Sequence, residues 1–413
     1  MDKTIKMGPF AFRLTVVRVI LLLFALLGMA TMLYRLIVGL GPATNLNDGW
    51  PFGLWKGLQL FPIVALSGGG FTMATLIYVL NIKEFKPLAK PAILMAWLGY
   101  MLVVVGLGMD IGLWYNFWTP LVWWGYTSVL FEVLVCVLLY NIVLLFEFLP
   151  VIAKRFNWAK AYKVSSAYVI PAVIAGIMLS SLHQSSLGAL FLIVPHKLNP
   201  LWYTGILPWL FLVSAIASGP AMVTVLSFLT ARSYKMEFNQ PMFAKLLKIV
   251  GGVLVVYVAL VVGDLAARGV LGNVFAGTLA SNMFILELLL FIVPIFLIFT
   301  NSKGSTGGTV LAALLVVMAL IVNRANVLFT GLYEASPMGY TPAFSEFSIT
   351  FGIIAIGCIA FLFIAENFEV FGKGEKNNPF EENIKNGTIP AELGTKKKTQ
   401  FAGFKQETTK GGA

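Results

Sequence analysis

Ten apolar runs follow one another along almost the whole chain, and they constrain the fold more than any other feature. A helix needs about 20 apolar residues to cross the hydrocarbon core of a bilayer. Hydrophobic residues make up 59% of the chain and charged residues 11%, whereas soluble domains are about 25% charged. The sequence therefore predicts an all-α polytopic membrane protein with about ten transmembrane helices. The predicted spans are roughly 14–38, 57–81, 91–113, 127–150, 164–186, 206–231, 244–266, 279–300, 308–331 and 346–371.

The sequence divides into a transmembrane domain, predicted at 14–371, and two terminal segments. Residues 1–13 carry Lys3, Lys6 and Arg13, and the apolar run after them is too long for a signal peptide. Residues 372–413 are polar and rich in Gly, Lys and Glu without a helical period. Such a composition predicts a disordered basic tail.

Lysine and arginine are concentrated in alternate loops, and this bias predicts the orientation of the chain. The poorly charged loops contain only Lys56, Lys197 and Arg268. The other loops lie on the side of both termini, and their basic residues are Lys83, Lys86, Lys90, Lys154, Arg155, Lys160, Lys163, Arg232, Lys235, Lys245, Lys248 and Lys303. We therefore expect a bacterial inner-membrane protein with cytoplasmic termini. The net charge of +11 then indicates topology and contact with anionic lipid rather than nucleic acid.

Polar residues inside the spans favour the outer side of the membrane. Such residues are costly there and usually mark a pathway or a binding site. The segment 179–188 (LSSLHQSSLG) contains one of only two histidines of the chain. The outer candidates for ligand binding and proton transfer are Asp110, Glu132, His183, Gln184, Asp264 and Arg324. Glu147 and Glu366 lie toward the cytoplasm and are candidates for a proton path.

A structural role remains open for each of these candidates. Asp110 and Asp264 lie near span ends, where their side chains can reach lipid headgroups. Glu132 lies deeper, where an unpaired carboxylate would take up a proton or pair with a residue such as Arg324. His183 can be a buried histidine that only forms hydrogen bonds.

Two pairs of carboxylates suggest an internal duplication. Asp264 follows Asp110 by 154 residues, and Glu287 follows Glu132 by 155 residues. Both offsets span four helices, so a parallel repeat would pair spans 2–5 with spans 6–9. We therefore expect two four-helix bundles, with flanking helices, that face each other across the polar residues.

A histidine, carboxylates and an arginine among apolar and aromatic residues suit a quinone. Its two carbonyl oxygens need hydrogen-bond donors, and its reduction needs two protons, which neutral histidine and carboxyl groups can supply. Cys136 and Cys358 do not form a CxxC motif, and His196 lies in an outer loop rather than opposite His183. We therefore expect no metal and no bound haem or iron–sulfur centre, with quinone as an exchangeable substrate and electrons from an iron–sulfur partner.

Several motifs resemble the NrfD/PsrC family of integral membrane quinone-interacting subunits, most of all the HybB-type membrane subunit of hydrogenase-2 complexes. The motifs are WPFGLW at 50–55, MDIG at 109–112, WYN at 114–116, FE at 131–132, FEF at 146–148, LHQSSLG at 182–188 and PLW at 200–202. The resemblance maps the quinone pocket of the family onto Asp110, His183 and Asp264, with Glu132 and Arg324 nearby. The chain departs from the family pattern at Leu113, where relatives often have Arg, and at Asp264, where Glu is common.

The resemblance also implies partners. Members of the family exchange electrons between a periplasmic four-cluster ferredoxin-like subunit and quinone or menaquinone. The complex also includes a catalytic partner, and a hydrogenase, a molybdopterin enzyme or a multihaem cytochrome would each fit. Two other functions remain open from the sequence. A proton-coupled secondary transporter would use the same carboxylates, and a purely structural anchor would need them only for assembly.

Overall fold

The computed structural model describes residues 3–47, 49–50, 52–300, 304–336 and 339–371. In these residues ten helices are long and apolar enough to cross a membrane, which confirms the predicted fold class. They are α1 Val16–Val38, α2 Lys56–Val79, α3 Lys83–Asp110, α4 Val129–Arg155, α5 Val169–Ala189, α6 Leu207–Tyr234, α7 Gln240–Ala267, α8 Leu279–Thr300, α9 Thr306–Tyr333 and α10 Phe344–Asn367. The predicted tail at 372–413 lies outside the described residues.

The ends of two predicted spans differ from the observed helices. The helix α3 begins at Lys83 rather than near residue 91, because a 3₁₀ segment, Lys83–Leu88, continues directly into the α-helix. The predicted span 164–186 combines two elements. A short helix, Ala159–Ala167, ends before α5 begins at Val169.

The segment before α1 forms an antiparallel β-hairpin that the sequence analysis did not predict. Its strands are β1 Lys3–Met7 and β2 Phe10–Leu14. Ala11 of β2 exchanges two hydrogen bonds with the Asn367 side chain at the end of α10, at 2.8 and 2.9 Å. A partner 356 residues away supports this hairpin, so local sequence patterns do not reveal it.

The ten helices form two four-helix bundles and a flanking pair. Helices α2–α5 form bundle 1 and α6–α9 form bundle 2. In each bundle, consecutive helices pack side by side and the fourth helix contacts the first. Bundle 2 contacts bundle 1 mainly through α6, which packs against α2 and α5. Helices α1 and α10 pack tightly against each other and lie against α3.

Two glycines bring the bundles into close contact. A Cβ atom added to Gly219 of α6 would lie 2.3 Å from the backbone nitrogen of Gly69 in α2. A Cβ atom added to Gly69 would lie 2.8 Å from the carbonyl oxygen of Gly219. Small residues allow helix backbones to approach closely within a membrane. This contact therefore fixes the distance between α2 and α6.

The flanking pair is joined to the rest of the molecule by a buried ion pair. Arg18 of α1 contacts Glu366 of α10 at 2.6 Å, and the Tyr234 hydroxyl at the end of α6 donates to the same carboxylate at 3.1 Å. Gly28 and Gly352 let the two helices touch, since a Cβ atom on Gly28 would lie 2.5 Å from the Gly352 Cα.

The two ends of the helices define two faces of the molecule. Both chain ends lie on one side, called here the terminal face, because the hairpin contacts the end of α10. The other side, called the opposite face, is where α1 and α3 end and α2 begins. The assignment of these faces to membrane compartments stays a prediction.

We expect Gly219→Ala to lower the stability of the fold by about 1–3 kcal/mol, because the added methyl group overpacks a contact between two backbones. The matched control is Gly252→Ala in α7, where a Cβ atom meets nothing within 4 Å. This control should be neutral or stabilising by up to about 1 kcal/mol. Thermal unfolding in mild detergent measures both variants, and equal midpoints for the two would contradict the proposed role of Gly219.

Candidate functional site

The predicted site residues lie in three separate groups rather than in one pocket. The Asp110 group consists of Trp55, Lys56 and Asp110. The histidine cluster consists of Tyr100, Tyr140, Ser180, His183 and Gln184, with Glu132 beside it. The bundle-2 cleft contains Asp264 and Arg324. Within the described part of the chain, no hydrogen bond or ion pair of these side chains joins one group to another.

The Asp110 group lies on the opposite face, where α2 begins and α3 ends. Lys56 contacts one oxygen of Asp110 at 2.6 Å, and the Trp55 indole donates to the other at 3.1 Å. Lys56 opens a π-helical segment, Lys56–Leu60, and such segments occur frequently at functional sites. The side chains of Lys56 and Asp110 are 16% and 18% exposed, so a small molecule in the membrane can reach them.

The histidine cluster lies in the interior of bundle 1. His183 is fully buried, and its ring lies 5.6 Å from that of Tyr100, which contacts Tyr140 at 4.6 Å. In the described structure, neither ring nitrogen of His183 has a hydrogen-bond partner. The same is true of the Tyr100 hydroxyl, the Ser180 hydroxyl and the amide oxygen of Gln184. Buried polar groups almost always have partners. This cluster therefore has the composition of a site for water or for a polar ligand.

The depth of His183 separates it from Asp110. Tyr100 and Asp110 lie ten residues apart on α3, which corresponds to about 15 Å along the helix axis. Because His183 packs against Tyr100, it lies well below Asp110, and a single quinone ring is too small to contact both. The structure does not bring these two predicted residues into one pocket.

Glu132 lies between these two levels. It accepts a hydrogen bond from the Ser186 hydroxyl at 2.7 Å, and Ser186 is three residues closer to the opposite face than His183. Gln184, the neighbour of His183, uses its amide nitrogen to donate to the Val64 carbonyl oxygen at 2.8 Å. This bond connects α5 to α2 and leaves the amide oxygen directed into the cluster.

The bundle-2 cleft opens near the ends of α6 and α7. Asp264 forms an ion pair with Arg268 at 2.6 Å and accepts a hydrogen bond from Thr204 at 2.6 Å. The cleft has about 20 Å³ of space for the centres of water molecules. Since about 10–15 Å³ accommodates one water, this space suits one or two waters.

Most polar groups deeper in the cleft satisfy one another, whereas the Nε atom of Arg324 has no partner in the described residues. Glu287 accepts hydrogen bonds from Trp202 at 3.0 Å, Asn323 at 2.6 Å and Asn326 at 3.0 Å. Arg324 donates to Ser214 at 2.9 Å and lies 3.6 Å from the centre of the Phe211 ring. The sequence analysis did not include Trp202, Asn323 and Asn326 among the site residues. The 155-residue offset between Glu132 and Glu287 was the available indication.

Glu147 and Glu366, the candidates for a proton path, lie in different surroundings. Glu147 is buried in α4. A Cβ atom on Gly176 would lie 2.9 Å from its carboxylate and 3.3 Å from the Tyr140 ring, so Glu147 lies next to Tyr140. Glu366 is held by Arg18 and Tyr234 in the flanking pair. The two glutamates therefore do not form a continuous path.

We expect Trp202→Phe to destabilise bundle 2 by about 1–3 kcal/mol, since the buried Glu287 carboxylate loses the indole donor while the ring is retained. The control is Trp209→Phe, because Trp209 is 64% exposed and its loss should have little effect. Thermal unfolding compares the two. A midpoint for Trp202→Phe equal to that of the control would show that the hydrogen bond contributes nothing.

Three relatives have names that describe an oxidoreductase. The probable Ni/Fe-hydrogenase 2 b-type cytochrome subunit of Escherichia coli is 29% identical over 79% of this chain and 85% of its own length. The menaquinone reductase integral membrane subunit of Nitratidesulfovibrio vulgaris is 30% identical over 54% of this chain and 56% of its own length. A selenate reductase subunit of Mesobacillus selenatarsenatis is 25% identical over 86% of this chain and 94% of its own length.

The name of the hydrogenase relative implies a b-type haem, and the histidines of this chain do not fit one. Two axial histidines must face the same iron. His183 is fully buried against Tyr100, whereas His196 is exposed in the loop between α5 and α6. These two residues therefore do not form a bis-histidine haem site.

The family relationship rests on most of the membrane domain. The family model described as polysulphide reductase, NrfD, matches residues 43–334. This range begins before α2 and ends after α9, so it contains both four-helix bundles and excludes the flanking pair. The chain belongs to the NrfD family.

Proposed function

We propose that this protein is the membrane subunit of a respiratory oxidoreductase complex and that it exchanges electrons and protons with quinone or menaquinone. The observation that carries the proposal is the histidine cluster, a set of buried polar atoms without partners in bundle 1. The corresponding groups of bundle 2 are almost completely paired. Polar groups that are left unpaired in a membrane are expensive, so the cluster favours a function over a structural role.

The quinone head group binds at the Asp110 group in this proposal. Lys56 provides a donor for a carbonyl oxygen, since an ammonium group has three N–H donors, and Asp110 can exchange a proton with the ring oxygen. An apolar cluster, which includes Trp55, Met109 and Ile349, lies beside the group, and partly buried Met32 and Leu36 at its edge can contact the ring and the isoprenoid tail. This position at the opposite face allows electrons to arrive from a subunit that docks there.

The histidine cluster holds and transfers protons below the quinone. A neutral imidazole both donates and accepts a hydrogen bond, and water molecules would complete the bonds of Tyr100, Ser180 and His183. Glu132 with Ser186 lies between this cluster and the face. Protons can thus reach the Asp110 group through short steps between neighbouring groups.

The electrons come from a partner in this proposal, since the chain is expected to hold no redox centre. The partner is a four-cluster ferredoxin-like iron–sulfur subunit, joined to a hydrogenase, a molybdopterin enzyme or a multihaem cytochrome. The names of the relatives, which include a hydrogenase subunit and two reductase subunits, support such a complex. The bias of Lys and Arg places the terminal face in the cytoplasm of a bacterium and the partner in the periplasm.

Bundle 2 has a structural role in this proposal, so Asp264 and Arg324 are less favoured as quinone ligands than the Asp110 group. Asp264 is paired with Arg268, and Arg324 donates to Ser214, although the Arg324 Nε atom has no partner in the described residues. The same pairing weakens the transporter alternative, because a coupling carboxylate must be able to change partners during transport.

Glu147 is the proposed entry for protons from the terminal face. It lies next to Tyr140, which contacts Tyr100, and Tyr100 contacts His183. These side chains form a line through bundle 1. Glu366 forms an ion pair with Arg18, so it is a structural residue in this proposal and not part of the line of side chains from Glu147 to His183.

We expect His183→Ala to slow quinone-linked electron transfer, because the proton line to the Asp110 group loses a side chain that can both donate and accept a hydrogen bond. The control is His196→Ala, which changes the exposed histidine and should leave the rate unchanged. The measurement compares quinone reduction or oxidation by the assembled complex with its activity toward a soluble dye that bypasses the membrane subunit. A wild-type quinone rate for His183→Ala would rule out the proposed role of the cluster.

We expect Glu147→Gln to decrease proton uptake from the terminal face during quinone turnover in proteoliposomes, since an amide cannot release a proton. Glu237→Gln, in the exposed loop between α6 and α7, serves as the control. The ratio of protons to electrons is the quantity to measure. An unchanged ratio for Glu147→Gln would exclude this glutamate from the path.

A further inference from the structure

We infer that the flanking pair, which lies outside the part of the chain that matches the family model, completes the quinone site. Arg35 of α1 is a quinone-binding residue that donates to a carbonyl oxygen of the ring. Glu346 of α10 is a positioning residue that fixes the start of α2. This inference rests on the proposed function and adds to it a contribution from two helices that the family core does not contain.

Arg35 has the environment of a binding residue. It is fully buried, and its Nη2 atom donates to the carbonyl oxygen of Ile111, the residue after Asp110. Its Nε and Nη1 atoms have no hydrogen-bond partner in the residues that the structure describes. A buried guanidinium with two unsatisfied N–H groups is costly. The cost is removed when a ligand oxygen accepts from them.

Asp110 does not satisfy Arg35. One carboxylate oxygen contacts Lys56 at 2.6 Å, and the other accepts from Trp55 at 3.1 Å. Asp110 is close enough to interact electrostatically with Arg35, but the ion pair is formed with Lys56. Two cations thus surround one carboxylate, and the local charge is positive.

A positive charge in apolar surroundings suits the chemistry of a quinone. As the ring accepts electrons, negative charge develops on its oxygen atoms, and preoriented cationic donors stabilise that charge. Charge-assisted hydrogen bonds are also stronger than neutral ones. Arg35 therefore stabilises the reduced, still unprotonated ring more than the oxidised ring.

The flanking helices also provide apolar surface at this site. The buried cluster around Trp55 contains Met109 of α3 and Ile349 and Ile353 of α10. Partly buried Met32 and Leu36 of α1 pack against it. Met32 and Arg35 are three residues apart on α1 and therefore lie on the same side of the helix, so Arg35 lies beside this apolar surface.

Glu346 holds the segment that leads into α2. It is fully buried and accepts hydrogen bonds from the backbone nitrogens of Asn45 at 3.0 Å and Leu54 at 3.3 Å. The Tyr340 hydroxyl also donates to it. Leu54 directly precedes Trp55 and Lys56, so this carboxylate sets the position of both donors of the Asp110 group.

The test uses the complete complex in membranes and measures KM and kcat for a water-soluble quinone analogue, with dye activity as the measure of assembly. We expect Arg35→Gln to raise the KM by about tenfold, the effect of losing a charge-assisted hydrogen bond, and to lower kcat. The KM of Arg35→Lys should lie between those of the wild type and Arg35→Gln, because an ammonium group keeps the charge but cannot reproduce the planar arrangement of guanidinium donors. Dye activity per complex should stay unchanged.

The matched control is Arg18→Gln, the other buried arginine of α1, which pairs with Glu366 near the terminal face. It should lower the amount of assembled complex and leave the KM unchanged. A KM and kcat within twofold of wild type for Arg35→Gln would overturn the inference, as would an equal rise in KM for Arg18→Gln. If Arg35→Gln does not assemble into the complex, Arg35→Lys serves as the test. A KM of Arg35→Lys equal to that of the wild type would then overturn the inference.

The positioning role of Glu346 has its own readout. Asn45 and Leu54 donate to different oxygens of Glu346, so Glu346→Gln keeps an acceptor for only one of them. It should raise the KM less than Glu346→Leu, which loses both acceptors. Equal KM values for the two Glu346 variants would contradict this role. If the wild-type complex shows no quinone activity, the proposed function itself is rejected. If the Arg35 variants have normal kinetics while His183→Ala is inactive, only this inference is rejected.

Discussion

Hydrocarbon offers no hydrogen bonds to the groups that it surrounds, and the organisation of this protein depends on how its polar side chains meet that constraint. Bundle 2 solves the problem by mutual pairing, as Glu287 is held by three donors. The flanking pair uses an ion pair between Arg18 and Glu366. Bundle 1 leaves several atoms of the histidine cluster without a partner in the described residues.

The two bundles have carboxylates at corresponding places but use them differently. Asp110 and Asp264 each lie near the end of the second helix of a bundle, and each pairs with a cation. Glu132 and Glu287 each accept from the fourth helix of their bundle, from Ser186 and from Asn323 and Asn326 respectively. The bundles differ in how completely these glutamates are hydrogen-bonded, since in the described residues Glu132 accepts from one side chain and Glu287 from three.

The flanking pair contributes residues to the surroundings of Asp110. Helices α1 and α10 lie outside the family match, yet they carry Arg35 and Glu346 to the place where α2 begins and α3 ends. The close contact of Gly28 and Gly352 makes the two helices one unit. Both residues therefore depend on the same packing.

The sequence by itself determined the ten spans, the presence of two bundles and the set of polar residues, because length, hydropathy and repeat offsets are local or periodic properties. It also predicted Asp110, Glu132, His183, Gln184, Asp264 and Arg324 as one set, which the structure divides into three groups. Only the tertiary structure decided their grouping, since the depth of a side chain depends on helix packing. One result is the separation of His183 from Asp110, since Tyr100, which His183 contacts, lies about 15 Å from Asp110 along α3. The pairing of Asp264 with Arg268 and the burial of Arg35 are others, because each depends on neighbours that sequence patterns do not specify.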